Sequence, residues 1–66
     1  MKLTVDSSAD ALYLRLDKSP IVETEEVAPG VMLDFNENNE VVGVEMLYLS
    51  KRSPNLDLSD LQFENT

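Results

Sequence analysis

The stretch that decides the fold is Val31-Met32-Leu33-Asp34-Phe35-Asn36-Glu37-Asn38-Asn39-Glu40-Val41-Val42-Gly43-Val44-Glu45-Met46. Val31, Leu33 and Phe35 alternate with polar or less buried types before the asparagines, and Val42, Val44 and Met46 alternate after them. A period of two is that of a strand with one buried face. Asparagine tolerates positive φ, so Asn38-Asn39 predicts a two-residue type I′ turn. Centred there, the hairpin pairs Phe35 with Val42, Leu33 with Val44 and Val31 with Met46. Every partner on one face is then apolar, and two independent signals agree.

Working outward, Met1, Leu3 and Val5 alternate with Lys2, Thr4 and Asp6, and Leu12, Leu14 and Leu16 alternate after the turn signal Ser7-Ser8-Ala9-Asp10. Folding about Ser8-Ala9 pairs Val5 with Leu12, Leu3 with Leu14 and Met1 with Leu16. A slip of one residue would set leucines against Thr and Lys, so the register is specified. A helix over 9–18 is disfavoured, because Leu12, Leu14 and Leu16 do not share a helical face. Residues 21–28 are rich in β-branched types, and Pro29-Gly30 reads as a type II turn. A tight hairpin there sets Glu26 against Leu33 and Glu25 against Asp34. The sequence therefore predicts a bulge at Ala28-Pro29, or an edge strand on which Glu23, Glu25 and Glu26 guard against aggregation.

Beyond Ser50 the composition changes. Ser53-Pro54-Asn55 breaks structure, and Ser59 with Gln62 has the form of a capping box that opens a helical turn. Leu56, Leu58, Leu61 and Phe63 predict a tail packed over the sheet. The expected fold is mainly β: an antiparallel sheet of four to five strands built from two hairpins, with a short C-terminal helical turn, and a small α+β fold as runner-up. It is one domain over 1–66, with the sheet in 1–49 and the packing tail in 50–66.

At 66 residues such a domain is marginal alone, and with no cysteine no disulfide can staple it. Dimerisation is the common remaining way to enlarge a core, so a homodimer is expected. The formal charge is −8, with 13 acidic against 5 basic residues. That charge disfavours nucleic acid and anionic membrane surfaces and favours a basic protein partner. The apolar runs are far shorter than a membrane span needs. Met1-Lys2-Leu3 leads straight into a strand pattern, so no signal peptide and a cytoplasmic location are expected.

The segments Asp6-Ser7-Ser8-Ala9-Asp10-Ala11-Leu12-Tyr13-Leu14-Arg15-Leu16, Thr24–Phe35 and Val41–Leu47 resemble, in order and spacing, the prokaryotic domain-of-unknown-function family numbered 2283. The resemblance runs from about Lys2 to Leu47. It implies a short cytoplasmic bacterial or archaeal protein and carries over no catalytic residue, cofactor or substrate. Some members are encoded beside small toxin-like proteins, which implies an antitoxin-like neutralising role. Relatives often carry Asp-Gly where this chain has Asn38-Asn39, and both suit the same turn.

The residues offer little chemistry. Asp34 to Glu45 nearly spells a calcium loop, but such a loop needs flanking helices and here both flanks are strands, so no metal site is expected. Glu23, Glu25, Glu26 and Asp34 include pairs suited to acid–base work, yet a solvated edge strand explains them more simply. With no histidine and no phosphate loop, an enzyme is not expected, and neither is a cofactor. Tyr13, opposite Thr4, reads as a binding hot spot or as ordinary cross-strand packing, and Tyr48 is a second candidate. Met32, Val41, Leu47 and Leu49 fall off the main apolar face and form a second apolar surface that needs a cover. Lys51-Arg52 reads as a strand-end salt bridge rather than a phosphate contact. The functional expectation is a non-enzymatic protein-interaction module with Tyr13, Glu23, Glu25, Glu26, Met32 and Tyr48 on its surface. The alternative is a small-ligand or metal-binding domain using the acidic hairpin tip.

Overall fold

Period-two alternation yields five strands in the structure, a computed structural model that describes residues 1–66. They are β1 (Lys2–Asp6), β2 (Ala11–Arg15), β3 (Glu23–Ala28), β4 (Val31–Phe35) and β5 (Val41–Met46), followed by one helical turn, α1 (Leu49–Arg52). Every pairing is antiparallel, in the order β1-β2-β5-β4-β3, so the mainly β class read from the sequence is the observed one. β3, β4 and β5 follow one another as hairpins, and β2 lies beside β5, which is a Greek-key order. The connection over 16–22 runs past the strand ends, where the Leu16 N–H donates to the Val42 carbonyl (2.8 Å) and the Val22 N–H to that of Phe35 (2.9 Å).

The first hairpin has the expected register, with Leu3 opposite Leu14 and Val5 opposite Leu12. Its turn is held by Asp6, whose carboxylate accepts from the Ser8 and Ala9 N–H groups and the Ser8 hydroxyl. In the second hairpin, Leu33 faces Val44 and Val31 faces Met46 as read, but Phe35 faces Val41 rather than Val42, across a bulge. The turn is not the two-residue type I′: of its residues only Asn39 has positive φ (61°), and the Asn36 N–H donates to the Glu40 carbonyl (3.0 Å). The cause is Asn36, whose buried amide oxygen accepts from the Asn38 and Glu40 N–H groups while its nitrogen donates to the Glu40 carboxylate. That clamp fixes a three-residue loop, 37–39, and the extra residue is absorbed as the bulge.

β3 is an edge strand carrying the three glutamates, and it also bulges, though between Glu26 and Ala28 rather than at Ala28-Pro29. The shift by one residue places Glu25 opposite Leu33 and Glu26 opposite Met32. Gly30 supplies the positive φ (71°) of the following turn, and a Cβ there would lie 2.9 Å from the Tyr48 ring.

The helical turn begins at Leu49, not at Ser59. Long-range bonds decide this. The Leu49 N–H donates to the Asp10 carbonyl, and the Ser50 N–H and hydroxyl donate to the Asp10 carboxylate. Ser59 instead turns back on Asp57. Arg52 makes no strand-end salt bridge; its guanidinium donates to the carbonyls of Leu47 and Pro29. Leu49 is buried, which removes it from the second apolar surface expected of Met32, Val41, Leu47 and Leu49. The tail over 53–66 is exposed throughout, its own backbone bonds being two isolated turns.

Asn36→Ala is expected to cost about 1–3 kcal/mol, because two backbone donors lose their acceptor at a part-buried turn. The urea midpoint should fall with an unchanged slope.

Candidate functional site

Alternation gives the sheet two unlike faces. On the first, Leu3, Leu14, Val44 and Leu33 form one row across four strands, and Val5, Leu12, Met46 and Val31 form the next. Glu25 ends the first of these rows at the β3 edge, and Glu23 faces Phe35 beside it. This is the face that the sequence marks as the core, and in the structure no second layer covers it. Buried apolar residues number only three, Ala11, Val42 and Leu49, and Leu3, Val5 and Leu16 remain between 37% and 39% exposed. Leu61 and Phe63 of the tail line an open hollow with Met1, Leu3 and Leu14, yet they are themselves 69% and 86% exposed.

The second face is polar and tied together. The Tyr13 hydroxyl donates to one Asp34 carboxylate oxygen and the Thr24 hydroxyl to the other, each at 2.6 Å. Three strands are thereby linked through side chains across a fourth, β5, whose Gly43 lies beneath the bond. A Cβ at Gly43 would sit 2.6 Å from the Tyr13 oxygen and 2.8 Å from Asp34. Arg15 is opposite Gly43 and donates to the carbonyls of Asp17 and Ser19. The Thr24 and Tyr13 bonds, with Arg15 nearby, hold the Asp34 carboxyl below its ordinary range, and the Asp34 bond raises Tyr13 above its own.

Of the residues singled out by sequence, Tyr13, Met32 and Glu26 share this face and stand level, with Glu45 between Tyr13 and Met32. Glu23 and Glu25 lie on the opposite, apolar face, so the acidic trio is split and Asp34 is not paired with them. Tyr48 stands apart in a left-handed conformation (φ 59°), 55% exposed, beside Gly30 at the start of α1. The Thr24–Asp34–Tyr13 chain was not anticipated. Its one sequence signal is Gly43, since a glycine inside a strand marks a close approach.

Gly43→Ala should force the Tyr13–Asp34 bond apart and cost about 1–3 kcal/mol, and Tyr13→Phe should cost a similar amount. The two together should cost less than their sum in urea titrations, because both remove the same bond. A carboxyl lowered by folding stabilises the fold above its unfolded pKa, about 3.9, and that contribution is lost as pH falls through the unfolded and then the folded value. Asp34→Asn should therefore be less stable than the parent near neutrality and lose less of its remaining stability between about pH 5 and 2, as followed by circular dichroism.

No helix is long and apolar enough to cross a membrane. No curated protein and no solved structure matches the chain. A family model described as "Protein of unknown function (DUF2283)" matches residues 2–50, which takes in all five strands and the start of α1 and leaves the exposed tail outside. With the match covering most of its length, the chain belongs to the DUF2283 family.

Proposed function

We propose that this protein acts by contact with another protein, as a non-enzymatic interaction module whose apolar sheet face receives a second layer. One observation carries the reading. A sheet that is apolar on one face must bury it against another element, and this chain provides none. The accessible surface is 5214 Å², whereas a compact monomer of 7.4 kDa exposes about 4,200 Å². The chain thus exposes about 1,000 Å² more than a compact monomer, and both the exposed tail over 53–66 and the part-exposed Leu3, Val5 and Leu16 add to it. Most of the formal charge of −8 lies off that face, free to steer a basic partner, and neutralising a small basic protein is the antitoxin-like form such binding takes. The hairpin tip supports the alternative ligand reading poorly, since the Asn36 oxygen and the Glu40 carboxylate are already engaged in holding the turn.

The double variant Leu3→Asp/Val5→Asp puts charge on the outer strand, where both residues are already more than one-third exposed. Tagged protein should retain its bound partners, self or other, as the parent and lose them as the variant, with the circular dichroism spectrum unchanged. Partners recovered equally by both would overturn the reading.

A further inference from the structure

We infer that the free edge of β1 is a self-association edge: it pairs antiparallel with β1 of a second copy, about a two-fold axis that passes through Thr4 perpendicular to the sheet. The two five-stranded sheets then run on as one. Nothing need cover the apolar face for this to hold.

The sheet has two edges, and only one is guarded. β3 carries three glutamates, two of them turned to the apolar face, and a bulge, all of which deter strand addition. β1, Lys2-Leu3-Thr4-Val5-Asp6, is exposed along its whole length and has an unbroken register, no bulge and no proline. No main-chain group of residues 1–6 has a hydrogen-bond partner beyond β2. The direction of the unused groups follows from the ladder. The Leu16 N–H donates toward β5, at Val42, so by alternation Leu12 and Leu14 also turn their main-chain groups to β5. Ala11, Tyr13 and Arg15 then turn theirs to Asp6, Thr4 and Lys2. Leu3 and Val5 are left with N–H and C=O directed outward.

The edge is complementary to itself. Antiparallel pairing centred on Thr4 sets Leu3 opposite Val5 of the other copy, where the two exchange both main-chain bonds, and sets Lys2 opposite Asp6. Within its own sheet Lys2 faces Arg15, a like charge, and Asp6 faces Ala11. The second copy therefore supplies each with an opposite charge, and the symmetry repeats the pair. Asp6 can accept it without releasing its turn, because all three of its bonds fall on Oδ1 and leave Oδ2 to the lysine. A register slipped by one position would set outward main-chain groups against inward ones. A slip by two would put Lys2 or Asp6 against Thr4 and lose both ion pairs. An axis perpendicular to the sheet also keeps like faces together, so the apolar rows through Leu3 and Val5 continue across the join. β1 on β3 of another copy would meet the bulge and leave an open-ended stack, whereas β1 on β1 closes as a dimer with guarded edges at both ends.

The test uses the full chain and sedimentation equilibrium, which should show the mass rising toward twice 7.4 kDa with concentration. Val5→Pro removes only an outward N–H, so the β1–β2 ladder should survive by circular dichroism while the dimer weakens by about tenfold or more in Kd. This variant keeps an apolar side chain on the face, which separates its effect from that of Leu3→Asp/Val5→Asp. The chain has no cysteine, so a single one reports register without changing the fold. In the pairing proposed, Thr4 meets Thr4 as a non-hydrogen-bonded pair, with Cα atoms about 4.5 Å apart, within disulfide reach. The two copies of Leu3 lie diagonally at about 7–8 Å, beyond it. In a glutathione redox buffer Thr4→Cys should therefore crosslink the dimer and Leu3→Cys should not. A parent that stays monomeric up to millimolar concentration overturns the pairing, as does a folded Val5→Pro that dimerises like the parent. Leu3→Cys crosslinking as well as Thr4→Cys overturns the register.

Discussion

The two halves of the sheet meet along one seam. β2 and β5 are the only strands through which the first hairpin touches the ladder of the other three, with Leu12 opposite Met46 and Leu14 opposite Val44. Everything else depends on that pairing. It places Asp10 where its carboxylate and carbonyl can receive Leu49 and Ser50, which is what starts the helical turn. It also sets Tyr13 within reach of Asp34 across Gly43, so that the hydroxyl of one hairpin is bonded to the carboxylate of the other. Isolated two-stranded hairpins are marginal in water, and the seam joins them into five strands with a continuous apolar face.

The two faces then divide the work. The polar face is self-sufficient: Thr24, Asp34 and Tyr13 use their hydrogen-bonding groups on one another, and no buried side-chain polar atom lacks a partner. The apolar face is the reverse. Its residues meet their neighbours within the sheet and, at Leu3 and Leu14, only a loosely placed Leu61 and Phe63 of the tail, so the free energy available from burying them is largely unrealised in the single chain. A protein this short gains more from completing that face than from further refinement of the polar one.

Much of the architecture is legible in the sequence because alternation and register are local. Leu3 with Leu14, Leu33 with Val44 and Val31 with Met46 follow from period two and the position of a turn. What escaped notice depends on particular side chains reaching out of pattern. The buried Asn36 amide lengthens the loop by one residue, and the bulge at Val27 turns Glu25 to the apolar face. The helix start rests on Asp10, forty residues away. The open face shows a deeper limit of pattern reading: alternation says which side is apolar but not whether anything covers it. Tyr13 was visible as a candidate, while Asp34 as its partner was not, because they meet diagonally over Gly43 rather than as direct partners.

The seam also orders events in time. Each β-turn closes over a handful of residues, and hairpins form in about 1–10 μs. Leu12 and Met46 are 34 positions apart, so β2 can dock on β5 only after the intervening chain has been gathered in. The Greek-key step is therefore the late, entropically opposed one. Until it occurs, β5 presents an unpaired edge and an apolar side together in a nascent three-stranded ladder. The glutamates of β3 protect the outer margin of that ladder, not the margin at β5, which makes the partly folded chain most prone to mispairing at its eventual centre.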